Sequence, residues 1–284
     1  MQIINTKQEL TSQMAACVRQ GKTIGFVPTM GALHAGHASL VKRACKENDV
    51  CVVSVFVNPT QFNNKEDLLK YPRNIAKDAE LLADLGVHFV FAPTPEEMYN
   101  PEEMEQTFVF DFAGLDQVME GKMRPGHFNG VVQVVSRLFD LVQPSRAYFG
   151  EKDFQQLAII HHMVERSYMA ERYTNLQIID CPIVREVSGL AMSSRNERLS
   201  QEEKETAVAI SKTLFASKEW AKSANVKEVQ QQVINTINSV EGLEVEYYEI
   251  VDKNTLQPTD KWENAVGCVT VYCGPVRLID NIRY

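Results

Sequence analysis

The stretch that decides the fold runs from Thr23 to His37 and reads TIGFVPTMGALHAGH. Its first part, residues 23–27, is a short apolar run that predicts a buried strand ending at Pro28. A loop containing glycine follows, and the amphipathic residues from about 37 to 47 predict a helix. A strand, a glycine loop and a helix in this order are typical of an α/β protein with a parallel sheet.

The same alternation of strand and helix patterns continues to about residue 180. Further strands are predicted at residues 50–57, 87–91, 108–112, 147–149 and 176–180, and helices at residues 74–85, 130–142 and 153–168. Crossovers between parallel strands are right-handed, so this order predicts a Rossmann-like, doubly wound parallel sheet. Ligands of such sheets lie beyond the carboxyl ends of the strands.

The pattern changes after Pro182. Two helices are predicted at residues 200–222 and 226–240, and three strands at residues 243–251, 266–272 and 276–282. Helices followed by adjacent strands indicate a smaller α+β domain with an antiparallel sheet. We therefore predict a Rossmann-like domain over residues 1–181 and a C-terminal α+β domain, acting as a lid, over residues 182–284.

Composition excludes several classes of protein. The chain has 284 residues, 29 basic and 37 acidic side chains and a net charge of −8, which argues against binding of nucleic acid or of a membrane surface. The longest apolar run, residues 50–57, is much shorter than the roughly 20 residues of a membrane span. The N-terminus lacks the apolar core of a secretory signal, and the six cysteines form no Cys-x-x-Cys pair. We expect a cytoplasmic protein with reduced thiols.

The loop after the first strand carries the features of an anion site. Gly31 and Gly36 allow a ligand to approach the backbone, and the start of a helix favours negative charge. His34 and His37 add ring nitrogens at the same place. The spacing matches neither the dinucleotide motif GxGxxG nor the Walker motif. The two histidines could instead cap the helix or share a metal, although no third ligand with suitable spacing is evident.

The His-x-Gly-His pattern at this turn resembles the signature of the nucleotidyltransferase and class I synthetase superfamily. Four further blocks, in order, are similar to those of the pantothenate synthetase (pantoate beta-alanine ligase) family: FVNPTQF at 56–62, RPGHF at 124–128, YFGEKDFQQ at 148–156 and GLAMSSRN at 189–196. Together they extend from about residue 23 to 198. The resemblance implies ATP-dependent condensation of (R)-pantoate with beta-alanine to pantothenate. Pantoyl adenylate would be the intermediate, pyrophosphate and AMP the released products, Mg²⁺ the metal and a homodimer the assembly.

The resemblance also assigns candidate site residues. His34, His37, Lys152 and Arg195 are the implied catalytic residues, as donors to phosphate. Gln61 and Gln156 are the implied ligands of pantoate and beta-alanine, with Asn58 supporting them. The implied ATP-binding set is Pro28, Thr29, Met30, Gly31, Ala32, Leu33, His34, Ala35, Gly36, His37, Gly150, Glu151, Lys152, Asp153, Val184, Met192, Ser193, Ser194 and Arg195. In that set Asp153 would bind the ribose, and Val184 and Met192 the adenine.

Several assignments stay open. Many relatives carry two or three acids where this chain reads NIAKD at 74–78, so Asp78 is the remaining candidate protein ligand for Mg²⁺. Phosphates and water can fill most of the coordination sphere of that metal. Arg124 and His127 could bind beta-alanine or phosphates, or brace their loop. Residues 63–70 are polar and turn-rich, and we expect a mobile lid there.

Two other functions remain as alternatives to the ligase. One is a nucleotidyltransferase that moves AMP onto a phosphorylated substrate. The other is a non-catalytic nucleotide sensor or an RNA-binding relative of the synthetases. The blocks around Gln61 and Gln156 oppose the first alternative, while the retained phosphate donors and the net charge of −8 oppose the second.

Overall fold

The computed structural model describes the chain from Met1 to Tyr284 apart from Asn64, Gln106 and Thr107, and apart from the side chains of Lys65, Asp67, Lys70 and Glu105. The described residues form two compact units. The first unit comprises Met1–Gly114, Arg124–Gly150 and Ile159–Cys181, and the second comprises Leu115–Met123, Glu151–Ala158 and Pro182–Tyr284. The last junction thus lies between Cys181 and Pro182, and two short segments that precede it belong to the second unit.

Strands and helices alternate along most of the described chain. The strands are β1 (Gln2–Ile4), β2 (Ile24–Thr29), β3 (Val50–Val55), β4 (Phe89–Phe91), β5 (Arg146–Gly150), β6 (Gln177–Cys181), β7 (Leu243–Asp252), β8 (Ala265–Cys273) and β9 (Val276–Arg283). The helices are α1 (Lys7–Arg19), α2 (Ala35–Glu47), α3 (Lys65–Lys70), α4 (Ile75–Asp84), α5 (Pro95–Met98), α6 (Pro101–Glu105), α7 (Met119–Met123), α8 (His127–Val142), α9 (Phe154–Glu165), α10 (Gln201–Trp220) and α11 (Val226–Asn238). None of these described helices has both the length and the apolar character of a membrane span.

The first six strands form one parallel sheet in the order β1-β4-β3-β2-β5-β6. The predicted doubly wound parallel sheet is therefore confirmed. The chain leaves β2 toward β3 and β4 on one side and returns to β5 and β6 on the other, so the strand order reverses between β2 and β5. β2 pairs with β3 along its whole length but with β5 only at Gly25 and Phe26. Sheets of this type bind ligands at such a reversal, beyond the carboxyl ends of the strands, so we expect the ligand near the ends of β2 and β5.

Helices cover both faces of this sheet. On one face, Val41 and Ala44 of α2 and Leu82 of α4 pack into a core with Val27 and Val53 of the central strands. On the other face, the ring of Phe139 in α8 packs edge-on against the rings of neighbouring strands, with centroids 6.3 Å from Phe26 and 6.3 Å from Phe149. Because adjacent strand residues point to opposite faces, Phe26 and Val27 enter different cores.

The second unit is built on the antiparallel sheet β7-β8-β9. The face that carries Leu278 and Ile282 of β9 packs into a core with α10 and α11, for example against Leu214 and Val233. Alternate residues of β9 form the opposite face and bind the two short segments of this unit. These are Arg277, whose guanidinium binds Glu120 of α7, and Asn281 and Arg283, which bind Glu151. The predicted small α+β fold with an antiparallel sheet is confirmed.

The strand predicted at residues 108–112 is wrong. Those residues belong to no strand, although Phe110 and Phe112 are buried. Their rings pack against each other at 5.0 Å, and Phe110 lies 5.9 Å from His162 of α9. Phe110 and Phe112 are two residues apart and both buried, so the sequence has the alternation of apolar residues that is typical of a strand.

Two other expectations change at their edges. β2 continues through Pro28 to Thr29. Proline has no N–H to donate, but β5 pairs with β2 only at Gly25 and Phe26, so no hydrogen bond to β5 is lost at Pro28. At residues 63–70 the structure has α3 over Lys65–Lys70 in place of turns, while Asn64 lies outside the described residues. The lid there stays a prediction.

His161 of α9 joins this helix to the end of β6. Its Nδ1 lies 2.7 Å from Glu165 Oε1, and its Nε2 lies 2.8 Å from Asp180 Oδ1. The hydrogen bond with Asp180 raises the pKa of His161 above its usual range, against the opposing effect of burial. A raised folded-state pKa adds stability that is fully present below the ordinary value of about 6.5 and is lost as pH rises through the folded-state value.

We therefore expect His161→Gln to lower the unfolding temperature more at pH 6 than at pH 9. Thermal melts of both proteins at the two pH values measure this difference. An equal loss at both values would mean that protonation of His161 does not stabilise the fold.

Candidate active site

The two histidines of the glycine loop begin α2 as a reciprocal cap. The Nδ1 atom of His34 accepts from the Gly36 N–H at 3.1 Å, and the Nδ1 atom of His37 accepts from the His34 N–H at 3.3 Å. The rings lie with their centroids 4.1 Å apart. Because Nδ1 of each ring accepts a hydrogen bond, a neutral ring carries its proton on Nε2. The capping function considered for these residues is therefore present in the structure.

The glycine loop is held in an unusual backbone conformation by a buried carboxylate. Gly31 and Ala32 have φ values of 83° and 51°, in the left-handed region. Asp78 of α4 accepts from the Ala32 N–H at 3.0 Å and from the Leu33 N–H at 2.8 Å. A Cβ on Gly31 would lie 2.9 Å from Asp78 Oδ2 and 3.0 Å from Val55 Cγ1, so a larger residue would have to displace the carboxylate that holds the loop and would also be strained at this φ. Asp78 is a support of the loop that the sequence did not identify as such.

This arrangement bears on the metal assignment. Both carboxylate oxygens of Asp78 accept backbone hydrogen bonds, and the side chain is only 3% exposed. In the part of the chain that the structure describes, no group of three or more His, Cys, Asp or Glu side chains could hold a metal. Binding of Mg²⁺ by Asp78 therefore stays a prediction, and the donor set better fits a magnesium ion carried mainly by phosphates and water.

Gln61 ends a short 3₁₀ turn, Pro59–Gln61, that follows β3. The side chain of Asn58, only 1% exposed, donates to Gln61 Oε1 at 3.2 Å and to Gly130 O at 3.1 Å. The hydroxyl of Tyr99 donates to Asn58 Oδ1 at 2.9 Å. The Gln61 Nε2 atom lies 3.0 Å from the sulfur of Met30, in the glycine loop. The structure thus brings Gln61, Asn58 and the glycine loop together, with Asn58 beneath Gln61 as a support.

Arg124 and His127 brace this turn from the start of α8. The Nδ1 atom of His127 lies 2.8 Å from the carbonyl oxygen of Gln61, and Arg124 approaches the same oxygen at 3.5 Å. A carbonyl only accepts, so His127 donates through Nδ1, and its Nε2 accepts from Arg124 at 3.3 Å. Of the three roles left open for these residues, the described contacts support bracing of the loop.

Gly130 of α8 is a further residue of this site that the sequence did not reveal. A Cβ on Gly130 would lie 2.4 Å from the carbonyl oxygen of Thr60 and 2.7 Å from Gln61 Cα. The helix therefore touches the turn backbone to backbone, which no other residue type permits. A glycine within an otherwise apolar helix was the signal that could have identified it.

In the second unit, residues 192–196, the second part of the GLAMSSRN block, follow a short hairpin. Arg185 forms a β-bridge with Ala191, and the Met192 N–H donates to Val184 O at 3.0 Å. The two residues assigned to adenine, Val184 and Met192, are thus brought together. Ser193 then caps the 3₁₀ turn Ser194–Arg198, its Oγ accepting from the Arg195 N–H at 3.2 Å.

The hairpin is fixed to the antiparallel sheet by a buried ion pair. Arg185 donates to both oxygens of Asp280 in β9, at 2.6 and 2.9 Å. The side chains of Arg185 and Asp280 are only 17% and 4% exposed. Such a bidentate pair restricts both partners to one geometry, so the hairpin is anchored to β9.

Two adjacent glutamines near the start of α9 differ in their surroundings. Gln155, only 4% exposed, donates through Nε2 to the carbonyls of Leu115 at 2.7 Å and Val118 at 2.9 Å. Gln156 is half-buried. Gln155 therefore holds the segment before α7, and Gln156 remains the candidate for substrate binding. Gly150 ends β5, and a Cβ there would meet nothing within 4 Å, so no described protein atom demands glycine at that position.

The model of the pantoate-beta-alanine ligase family matches residues 2–283. The chain belongs to the pantoate-beta-alanine ligase family. Pantothenate synthetases of Bacteroides thetaiotaomicron and Porphyromonas gingivalis are 58% and 53% identical to it, over 100% of this chain and 99% of each relative. Membership of the pantoate-beta-alanine ligase family confirms the predicted class of enzyme, a ligase of pantothenate biosynthesis.

Solved structures agree with this assignment. The crystal structure of pantothenate synthetase from Thermus thermophilus has a TM-score of 0.91 and 41% identity, and covers 100% of this chain and 99% of that one. The pantoate-beta-alanine ligase of Francisella tularensis has a TM-score of 0.80 and 35% identity, with coverages of 100% and 97%. Its crystal structure is described as complexed with beta-gamma ATP and beta-alanine.

Proposed function

We propose that this chain condenses (R)-pantoate with beta-alanine to give pantothenate, with ATP as co-substrate and pantoyl adenylate as intermediate. Family membership and the ATP- and beta-alanine-bound relative from Francisella tularensis support the substrates. The observation that carries the proposal is the reciprocal cap of His34 and His37, which fixes both rings at the start of α2 with the proton of each neutral ring on Nε2. Two such donors at a helix N-terminus suit the phosphates of a nucleotide.

In the first step, a carboxylate oxygen of pantoate attacks the α-phosphorus of ATP and pyrophosphate leaves. The nucleophile is already ionised, so the protein needs to align the reactants and stabilise negative charge rather than remove a proton. We assign this charge stabilisation to His34, His37, Lys152 and Arg195, with the hydroxyls of Ser193 and Ser194 as further donors. In this scheme His37 donates a hydrogen bond without transferring a proton.

In the second step, the neutral amine of beta-alanine attacks the acyl carbon of pantoyl adenylate. The bond from that carbon to the AMP oxygen breaks, AMP leaves, and the proton of the amine is released to solvent. The leaving phosphate is again an anion, so the same donors serve both steps. Asp153 would accept from the ribose hydroxyls, while Val184 and Met192 would contact the adenine.

Gln61 and Gln156 are proposed to bind pantoate. A neutral amide offers both donors and an acceptor, which suits a hydroxy acid without burial of a full charge. We expect Gln61→Ala and Gln156→Ala to raise the KM for pantoate more than the KM for ATP. Steady-state rates with each substrate varied in turn measure this, and Gln155→Ala is the matched control because Gln155 binds backbone carbonyls. A larger rise for ATP would contradict the assignment.

Pyrophosphate release tests the proposed function as a whole. With ATP present, release should depend on pantoate, and AMP should appear after beta-alanine is added. Transfer of AMP to a phosphorylated substrate in the absence of an amine would instead support a nucleotidyltransferase. Release of pyrophosphate from ATP in the absence of pantoate would contradict the proposal, as would the absence of release when pantoate is present.

The proposal includes four further features. They are a magnesium ion bound chiefly to the phosphates of ATP, closure of the C-terminal lid domain during the reaction, a homodimer and a cytoplasmic location. All six cysteines carry free thiols, which agrees with a reducing compartment.

A further inference from the structure

Asn281 of β9 binds the backbone on both sides of Lys152. Its Nδ2 atom donates to the carbonyl oxygen of Glu151 at 2.8 Å and to that of Lys152 at 3.0 Å. A primary amide carries two hydrogens on one nitrogen, so one side chain satisfies both acceptors. These two carbonyls belong to the peptide planes before and after the Lys152 Cα. Because peptide groups are planar, holding both oxygens restricts the backbone dihedrals of Lys152 and the direction in which its side chain leaves the chain.

Asn281 is itself held rigidly. It is only 5% exposed and pairs with Cys268 in the antiparallel sheet. Its N–H donates to Asp280 Oδ1 at 2.8 Å, and Asp280 is bound by Arg185. Two positions further, Arg283 donates to Glu151 Oε1 at 3.0 Å. The strand therefore provides a fixed platform for residues 151–152, whereas a loop held only by its own residues would have more freedom.

We propose that Asn281 is a positioning residue for Lys152 in the adenylation step. It acts through the backbone of residues 151–152 and touches no substrate. The inference rests on the proposed function, in which Lys152 donates to the phosphates of ATP. Asp280 of the same strand anchors the hairpin that precedes Ser193 and Arg195, so consecutive residues of β9 position both groups of candidate phosphate donors in this unit.

The test is a double-mutant cycle on pantoate-dependent pyrophosphate release, with Asn281→Ala, Lys152→Ala and the double variant. A displacement of about 1 Å in a catalytic group lowers rates by ~10²-fold, so we expect Asn281→Ala to lower kcat by about that factor and to change the KM for ATP much less. In the Lys152→Ala background the same change should lower kcat by less than about 3-fold, because the residue through which it acts is gone. Independent, multiplying effects would overturn the proposal, as would an unchanged kcat of Asn281→Ala.

Two further variants separate positioning from loss of stability. Thr270→Val removes a fully buried donor of the neighbouring strand whose partner is Glu120 Oε1 at 3.1 Å, and should lower the unfolding temperature while leaving kcat unchanged. Asn281→Asp keeps the shape but directs an oxygen at two carbonyls, and should be at least as inactive as Asn281→Ala. If Thr270→Val loses as much activity at equal loss of stability, the proposal is wrong.

A measurement without substrate distinguishes this inference from the proposed function. Backbone NMR order parameters of residues 151–153 should be lower in Asn281→Ala than in the wild type, whatever reaction the enzyme catalyses. Absence of pantoate-dependent release in the wild type would refute the proposed function, whereas unchanged order parameters would refute the positioning role.

Discussion

Replacing His37 with asparagine lowers pantoate-dependent pyrophosphate release by about 10²- to 10³-fold and leaves the unfolding temperature close to that of the wild type. The asparagine Oδ1 occupies roughly the place of the histidine Nδ1, which accepts from the His34 N–H at 3.3 Å in the structure. The variant can therefore still accept this hydrogen bond. The variant lacks the Nε2–H donor. Rapid-quench measurement of pyrophosphate, together with a thermal melt, gives both quantities.

Glutamine at the same position is the matched control. Its amide nitrogen lies near the place of the histidine Nε2, whereas an acceptor at the Nδ1 position is lost. His37→Gln should therefore retain more activity than His37→Asn and lose more stability, about 1 kcal/mol for a weakened helix cap. If both variants release pyrophosphate at the wild-type rate, His37 has no part in the adenylation step.

Replacing Gly130 with alanine lowers kcat/KM for pantoate by about 10²-fold. The added Cβ would lie 2.4 Å from the carbonyl oxygen of Thr60, so α8 and the turn that carries Gln61 must move apart. In an open helix the same change would stabilise the protein by about 1 kcal/mol, because alanine has the higher helix propensity. Here overpacking reverses the sign, and we expect destabilisation by about 1–3 kcal/mol.

Ser136→Ala on the same helix is the control for Gly130→Ala. Its buried hydroxyl binds Gln133 O at 3.2 Å, one turn back in the helix. This variant should keep the wild-type kinetics for pantoate. Wild-type pantoate kinetics in Gly130→Ala itself would show that the turn does not need close contact with α8.

The sequence predicted the parts of the site that depend on local pattern. The His-x-Gly-His turn could be located because an apolar strand precedes it and an amphipathic helix follows it. β2 and α2 were therefore predicted, with shifts of at most two residues at their ends. The parallel and antiparallel sheets followed from the order of such patterns. The N-terminal β1 and α1 were missed, although Leu10, Met14 and Cys17 have helical spacing and are buried.

The supporting residues could not be predicted because their partners are distant in the chain. Asp78 binds the backbone 46 and 45 positions away, and Asn281 binds carbonyls 130 and 129 positions away. Nothing in their own neighbourhoods distinguishes these residues from surface polar side chains. Gly130 is likewise a glycine of ordinary appearance, and its role exists only once α8 lies on the 59–61 turn.

The carboxylate of Asp78 has a consequence for protein engineering. The loop of His34 takes its shape from an acid on α4, so β2, its loop and α2 do not make a self-contained module. Transplanted into another α/β scaffold without α4, the segment would lose the acceptor that holds two adjacent amides, and Ala32 would relax from its left-handed conformation. The smallest unit that could be transplanted is therefore discontinuous, and it includes α4 from the next crossover, between β3 and β4.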